Sequence, residues 1–326
     1  MQYYFAPMEG ITLFPLRNAH NRCFPGIDKY FSPFLVANQT LHFHQNEIRD
    51  ILPRNNNGIF LVPQILTNRA DQMIWAMEKL SSCGYTEINL NLGCPMPQVA
   101  KRGRGAGFLE DPRELDRFFE EVFAGISGKG LRLSVKTRIG LFDESLADEL
   151  TGVFNRHPIH ELIIHPRLMA DRYQGSPRLG VFSEMFRKSV HPVCYNGDIR
   201  SPEDLAAISR RFPGISRVMI GRGLLSDPAL VWKIRKAAES PEGADAAARQ
   251  QTDPAVPCSP AAYHSLIYRA YLEMLPDGRQ AVAKMKDVWS FWQRSFPGRE
   301  KECKKIRKSV WPEQYEEAVD ALLSGE

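Results

Sequence analysis

Apolar and polar positions fall in blocks along most of this chain rather than one by one. Short apolar stretches at 3–8, 30–37, 60–66, 87–92, 132–138, 160–165, 192–196 and 217–221 are rich in Val, Ile, Leu and aromatic residues. Near-continuous runs of this kind are expected of parallel strands covered on both faces. The segments between them carry helical spacing, as from Ala70 to Leu80 and over 224–236. Two open with a capping residue followed by proline, Asp111-Pro112 and Ser201-Pro202, and the first predicts a helix reaching about residue 124. Strand–helix alternation repeated through eight units predicts an α/β fold, a (β/α)8 TIM barrel. The rival is an open doubly wound sheet, but the first strand–helix turn lacks the G-x-G-x-x-G of a dinucleotide fold. The pattern breaks near residue 239. Residues 240–260 are poor in large apolar side chains, rich in Ala, Gln, Pro and Asp, and read as an exposed linker. Helical periodicity returns over 261–275, 280–296, 299–309 and 312–323. The expected organisation is a catalytic barrel over 1–239, a linker over 240–260 and a small all-helical C-terminal domain over 261–326.

Composition narrows the class without naming a function. Of 326 residues, 43% are hydrophobic and 25% charged, as in an ordinary globular protein. No apolar run approaches the roughly 18–20 residues of a membrane helix, and the opening Tyr3-Tyr4-Phe5-Ala6-Pro7-Met8 has neither the length nor the basic leader of a signal peptide. A cytoplasmic monomer with no membrane partner is the expectation. The net charge of +4 favours polyanions mildly. The six cysteines form no C-x-x-C pair, so neither a disulfide framework nor a metal site is expected, and free thiols are.

In a barrel of this kind the active site lies at the C-terminal ends of the strands. Here those ends supply Met8-Glu9-Gly10, Gln64, Asn91-Leu92-Gly93-Cys94-Pro95, Lys136-Thr137-Arg138, His165-Pro166-Arg167, Asn196-Gly197-Asp198 and Gly221-Arg222-Gly223. Each is a weak signal alone; their convergence on one mouth is a strong one. The words Ala6-Pro7-Met8-Glu9-Gly10-Ile11-Thr12, Asn89 to Pro95 with Gly103 to Gly107, Ser134 to Arg138, Asn196-Gly197-Asp198-Ile199 and Met219 to Gly223 stand in an order that resembles the tRNA-dihydrouridine synthases along nearly the whole chain.

That resemblance implies an FMN-dependent reductase that saturates the C5–C6 bond of uridines in tRNA, with NADPH or NADH as transient electron donor. The turns at Asn196-Gly197-Asp198 and Gly221-Arg222 would hold the FMN phosphate and ribityl chain, as glycine-rich turns and helix starts hold phosphate in barrels. Pro7 and Met8 would pack under the flavin, Gln64 would meet its polar pyrimidine edge, and His165 would stand beside flavin and substrate. Lys136 interrupts the apolar run Leu133-Ser134-Val135, where a bare ammonium is costly; a fixed cation there would stabilise charge on a reduced flavin. Uracil's C5=C6 bond is conjugated to the C4 carbonyl, so hydride from flavin N5 adds at C6 and C5 then needs a proton. Thiols are mostly protonated at neutral pH, and Cys94 is the expected donor. The glycines of the basic stretch Lys101 to Gly107 would let that loop close over a flipped base. Asn91, Arg138 and Arg167 are candidates for holding the base or a phosphate.

From 279 to 308 ten basic residues, among them Lys284 and Lys286, face only Asp287, Glu300 and Glu302. This is the footprint of a surface for tRNA, read by shape rather than sequence. Interleaved Trp289, Phe291, Trp292 and Phe296 are expected mainly as core. Two other readings compete: a free-pyrimidine FMN enzyme of the dihydroorotate dehydrogenase kind, which leaves the basic tail unexplained, and a non-catalytic RNA-binding relative, against which Cys94 and Lys136 both argue. Departures from the family pattern stand at Leu13, where Asp is common, at Pro166-Arg167-Leu168, and at Tyr195, which could crowd the flavin or point into the barrel.

Overall fold

The computed structural model describes residues 1–37, 39–239 and 258–324. All eight expected strands are present: β1 (Gln2–Phe5), β2 (Lys29–Val36), β3 (Leu61–Leu66), β4 (Glu87–Leu92), β5 (Arg132–Arg138), β6 (Glu161–His165), β7 (Val193–Tyr195) and β8 (Arg217–Ile220). They pair in sequence order as a closed parallel barrel, sealed where Gln2 to Phe5 register with Arg217 to Ile220. The TIM-barrel expectation is met.

Alternate residues of a strand face opposite sides, so the inward positions stack in layers. The lowest layer is charged and fully paired. Lys29 Nζ lies 2.8 Å from Glu87 and 3.2 Å from Glu161, and Arg217 Nε lies 3.0 Å from Glu161. Tyr4 donates its hydroxyl to Glu161 at 2.8 Å. Buried carboxylates are costly unless paired, and this network closes the barrel floor with each acid matched. Above it, Phe31, Val62, Ile163, Cys194 and Met219 form one buried apolar cluster with Tyr4 and Ala6. Only the upper layer is left for chemistry.

Proline shapes that layer on β2. Pro33 has no N–H for a ladder, and the β2–β3 register shifts between Phe31 and Phe34. The Ser32 hydroxyl instead accepts from the Gln64 amide at 3.1 Å, fixing Gln64 on β3.

Helices α1 (Phe14–Cys23), α2 (Gln45–Ile51), α3 (Ala70–Ser81), α4 (Pro97–Ala100), α5 (Pro112–Ile126), α6 (Ala147–Asn155), α7 (Leu179–Lys188), α8 (Pro202–Arg211), α9 (Arg222–Ser226) and α10 (Leu230–Glu239) lie among and after the strands. Asp111 caps α5 as expected, accepting from Arg113 and Glu114 amides, and Leu115, Phe118, Phe119, Val122 and Ile126 form its buried stripe. The helix expected over 224–236 is instead two, α9 and α10, interrupted at Asp227-Pro228. Proline cannot donate to the preceding turn, and the residue before it is pushed out of the helical region.

Contacts group the chain into two compact units: residues 1–7, 28–198 and 208–220 in one, and 8–27, 199–207 and 221–326 in the other. The second holds α11 (Pro260–Met274), α12 (Gly278–Trp292), α13 (Glu300–Lys308) and α14 (Pro312–Leu323). There α1 packs on α11 and α9 on α12, so the grouping runs across the sequence boundary at 239. Most of the linker expected over 240–260 lies outside the described residues.

Trp289, Trp292 and Phe296 are buried, as expected of core aromatics. A hydrogen-bond chain runs through this core. Trp289 Nε1–H donates to Tyr315 Oη at 2.9 Å, and that hydroxyl lies 2.6 Å from His264 Nε2. Tyr315 thus joins Trp289 to His264, and a neutral imidazole suits this enclosed chain. Burial agrees, lowering His264 from its ordinary 6.5 to about 4.

One expectation fails. Cys23, at the end of α1, and Cys258, just before α11, are joined in a disulfide with Cα atoms 5.0 Å apart. They are 235 residues apart in sequence, and only the packing of α1 on α11 brings them together. Cys83, Cys94, Cys194 and Cys303 are not in disulfides. Among the described residues no helix is long and apolar enough to cross a membrane, and no cluster could hold a metal ion.

Candidate active site at the barrel mouth

The upper layer is built from the next inward positions: Gln64 on β3, Asn91 on β4, Lys136 and Arg138 on β5, His165 on β6 and Asn196 after β7. Amides organise one side. Asn91 donates to Gln64 Oε1 at 2.7 Å, Gln64 to Asn89 Oδ1 at 2.8 Å, and Asn89 to Ser134 Oγ at 3.0 Å. This relay fixes the amide orientations, since each carbonyl must face a donor. Asn91 Oδ1 then accepts from the Gly93 and Cys94 amides at 2.9 and 2.8 Å. The side chain thus works as a cap for the Cys94 turn.

The following loop folds back over that turn. Ala106 N–H donates to the Cys94 carbonyl at 3.1 Å. Gly105 has φ +57°, and a Cβ there would lie 2.9 Å from Cys94 Cβ; one on Gly107 would lie 2.4 Å from the Ala100 carbonyl oxygen. In this structure these two glycines serve close packing around Cys94, which differs from the expected role of giving the loop freedom to close.

The two arginines are consumed internally. Arg138, 1% exposed, donates to the carbonyls of Gly93 at 2.8 Å and Leu168 at 2.9 Å. Arg167, also 1% exposed, binds Asp198 through both terminal nitrogens at 3.0 and 2.8 Å. It also donates to the Gln174 and Gly175 carbonyls at 3.2 and 2.7 Å. These bonds brace the loop from 166 to 178. Arg167 lies 3.1 Å from His165 Nε2. A guanidinium can only donate, so this imidazole nitrogen accepts and carries no proton. Both arginines therefore act as positioning groups around Cys94 and His165.

Lys136 is different. It forms no hydrogen bond or ion pair with any described residue. Burial, and then the charge of Arg138, pull its ammonium from its ordinary 10.5 to about 8. At neutral pH it remains mostly charged: a cation held on the inward face of β5 with no counter-ion among the described residues. An unsatisfied buried charge is costly, and this one fits an anionic group bound at the mouth.

Asn196 donates to the Met219 carbonyl at 2.8 Å, tying the β7 turn to β8. Tyr195 points away from the barrel interior, with its ring edge-on to Phe182 at 5.0 Å, and so does not crowd the mouth. Its hydroxyl also explains Gly197, where a Cβ would lie 2.0 Å from it. Pro7 is half-buried just after β1.

One residue at this mouth is missed by sequence reasoning. Tyr173, 46% exposed at the tip of the braced loop, stacks near His165 at 6.4 Å and lies over the Arg138 guanidinium at 5.5 Å. A single aromatic in a polar loop offers no periodicity to find it by.

The second unit holds the other expected residues. The Met8 amide donates to Thr12 Oγ1 at 2.8 Å, while Leu13 stands at the N-cap of α1 and offers no side-chain cap. Gly221 and Arg222 follow β8 directly and open α9. Lys284 and Lys286 are half-buried and donate to the carbonyls of Gly10 at 3.1 Å and Ser309 at 2.9 Å. On α13, by contrast, Lys301, Lys304, Lys305 and Lys308 are exposed, while Cys303 and Ile306 are buried. None of these four lysines forms an ion pair with a described residue.

A family model for dihydrouridine synthases matches residues 4–294. A probable tRNA-dihydrouridine synthase of Helicobacter pylori is 27% identical over 237 residues, covering 71% of this chain and 69% of that protein. A tRNA-dihydrouridine(16) synthase of Neisseria meningitidis is 30% identical over 237 residues, covering 71% and 70%. Among solved structures, morphinone reductase in complex with tetrahydroNAD aligns with TM-score 0.51 and 12% identity, covering 80% of this chain and 92% of that one. Histamine dehydrogenase from Rhizobium aligns with TM-score 0.55 and 13% identity, over 72% of this chain and 46% of that one. At such identities these two likenesses concern the barrel fold.

Proposed function

Since the chain belongs to the dihydrouridine synthase family, we propose that it reduces the C5–C6 bond of uridines in tRNA at the mouth just described. The observation that carries this reading is the uncompensated Lys136 ammonium beside a Cys94 turn held by Asn91. FMN suits this mouth: Lys136 would meet its anionic edge, while Gln64, fully buried with its amide engaged by Asn89 and Asn91, would have to turn to meet its polar pyrimidine edge. Pro7 and Met8 would lie against the ring system, with His165 beside it. The turns at Asn196-Gly197-Asp198 and Gly221-Arg222 would take ribityl chain and phosphate. When bound and reduced by NADPH or NADH, FMN supplies the hydride delivered to uracil C6.

The chain's own residues do the rest. A uridine must leave its stack to enter the mouth. As C6 becomes saturated, negative charge develops over C5 and O4, and the Cys94 thiol releases its proton to C5. Asn91 and Arg138 act through Cys94, holding the Gly93–Cys94 backbone that leads into it, and Arg167 holds His165 as an acceptor. Tyr173 gives the mouth an exposed aromatic wall. The free lysines of α13 supply phosphate contacts whose strength depends on salt.

Two tests follow. Nucleoside mass spectrometry of tRNA from cells lacking this chain should show lost dihydrouridine, with position 16, for which several relatives are named, examined first. Unchanged dihydrouridine at every position would overturn the reading. In vitro, Cys94→Ala should retain NADPH oxidation while losing about 10²–10⁴-fold in uridine reduction. Native-rate reduction would reassign proton donation.

A further inference from the structure

Two loops on the rim of the barrel mouth each hold an aromatic side chain out into solvent. Phe142, in the loop after β5, is 71% exposed and makes no ring contact with a described residue. Leu141 beside it is 7% exposed, so the turn buries one apolar side chain and presents the next. Gly140 makes that turn possible: it has φ +153°, and a Cβ there would lie 2.5 Å from the Asp143 carbonyl oxygen. Tyr173, in the loop after β6, lies over Arg138 and beside His165, both groups of the mouth. Arg172 just before it has φ +51°, a left-handed backbone that few residues with a side chain adopt.

Neither aromatic stands on a loose segment. The Met169 and Ala170 amides donate to the Gly140 and Leu141 carbonyls at 3.0 and 2.9 Å, joining the two loops. Arg178 ties them again, bonding Asp171 of the second loop and Glu144 of the first, the latter at 2.8 Å. Asp171 in turn accepts from the Leu168 amide at 2.8 Å. A lone exposed aromatic needs no explanation. Two on paired loops, clamped at the entrance to a site, form a surface whose exposure the fold maintains. Its charge decides which part of a nucleic acid it suits. Asp143 adjoins Phe142 and is exposed, so a phosphate is repelled there while the face of a base is not.

We infer that Phe142 stacks on a base flanking the uridine that enters the mouth, an inference that rests on the tRNA substrate proposed above. Taking a uridine out of its stack leaves each neighbour with a bare face. An aromatic ring takes the place of the lost neighbour and offsets part of the cost of extrusion. Tyr173 lines the mouth itself, and Phe142, on the adjoining loop of the rim, meets the strand where it leads in or out. A flanking base can reach this ring only where the strand is unpaired. The surface therefore selects uridines in loops over uridines in helices.

The test uses the full chain loaded with FMN and an unmodified tRNA transcript, with binding measured over a salt series. Phe142→Ala should weaken binding about tenfold. The slope of log affinity against log salt should stay unchanged, since no phosphate contact is lost. Its urea midpoint and NADPH oxidation should equal the native protein's, because an exposed ring supports neither. Phe142→Trp should bind as the native chain does, whereas Phe142→Leu, apolar but without a π face, should not recover. Native affinity in Phe142→Ala, a flattened salt slope, or full recovery by Phe142→Leu would each overturn the inference and leave the tRNA reading standing. A lowered urea midpoint in Phe142→Ala would overturn it too, assigning the ring to the fold. Failure of the unsubstituted protein to bind tRNA at all would overturn the substrate reading and this one with it.

Discussion

Gly105→Ala moves the proposed proton donor without altering the thiol. Gly105 has φ +57°, and a methyl there would lie 2.9 Å from both Cys94 Cβ and the Cys94 carbonyl oxygen and 3.2 Å from Val99 Cγ1. Carbon atoms in contact prefer about 3.5–4.0 Å, so Cys94 Cβ would have to retreat by roughly 0.6 Å or more. If the loop resists, the left-handed backbone costs about 1–2 kcal/mol and the overpacking about 1–3 kcal/mol. The chain should then lose about 2–5 kcal/mol of stability in urea denaturation. If the loop yields, the thiol is displaced from the base. A misplacement of about 1 Å can cost about 100-fold in rate, so uridine reduction should fall about 10- to 100-fold. NADPH oxidation, which does not involve Cys94, should persist. Single-turnover reduction of a tRNA transcript, followed by nucleoside mass spectrometry, measures the first; flavin bleaching by NADPH measures the second. A variant with native stability and native uridine reduction would refute the argument that this loop sets the position of the thiol.

Two further outcomes concern the second unit. His264 is lowered from 6.5 to about 4 by burial, so its neutral form is favoured in the fold. The unfolded chain binds the proton first as pH falls, and stability present above about pH 6.5 should decline towards pH 4, by about 3 kcal/mol from this group; pH-dependent urea midpoints of native and Tyr315→Phe chains check this. Tyr315→Phe also strands the Trp289 N–H and His264 and should cost about 2–5 kcal/mol at pH 7.5. Cys258→Ser removes a link closing a loop of 235 residues and should lower stability by about 2–5 kcal/mol in non-reducing buffer. Equal stability with and without dithiothreitol in the native chain would show that this link contributes nothing.

The barrel was legible because parallel strands buried on both faces must be apolar almost throughout, so composition alone marks their limits. The helical tail was legible for a similar reason: Ile306 and Cys303 alternate with lysines at helical spacing. The break at Asp227-Pro228 left a visible signal in the proline itself. The Cys23–Cys258 link left none, because pairing depends on α1 meeting α11, and neither helix announces its neighbour. The glycines of 103–107 were visible, but their purpose was not. Whether a glycine provides mobility or makes room depends on what lies where its Cβ would be, and that atom belongs to Cys94 or Ala100.

The arginines show most clearly where sequence reasoning stops. Arg138 and Arg167 stand at strand ends with the same apparent freedom as Lys136, and all three are basic side chains at one mouth. A guanidinium presents five donors in a fixed plane, and backbone carbonyls crowd the top of a barrel where strands give way to loops. Arg138 and Arg167 are absorbed by those carbonyls and by Asp198, and their charge is spent on holding Gly93, Leu168 and the loop around Tyr173. An ammonium on a flexible stem makes no such bidentate match. Lys136 remains without a partner among the described residues, and its charge stays available to something that is not protein. The division of labour at the mouth follows from this difference in shape. The planar cations build the walls, and the point charge waits for the ligand.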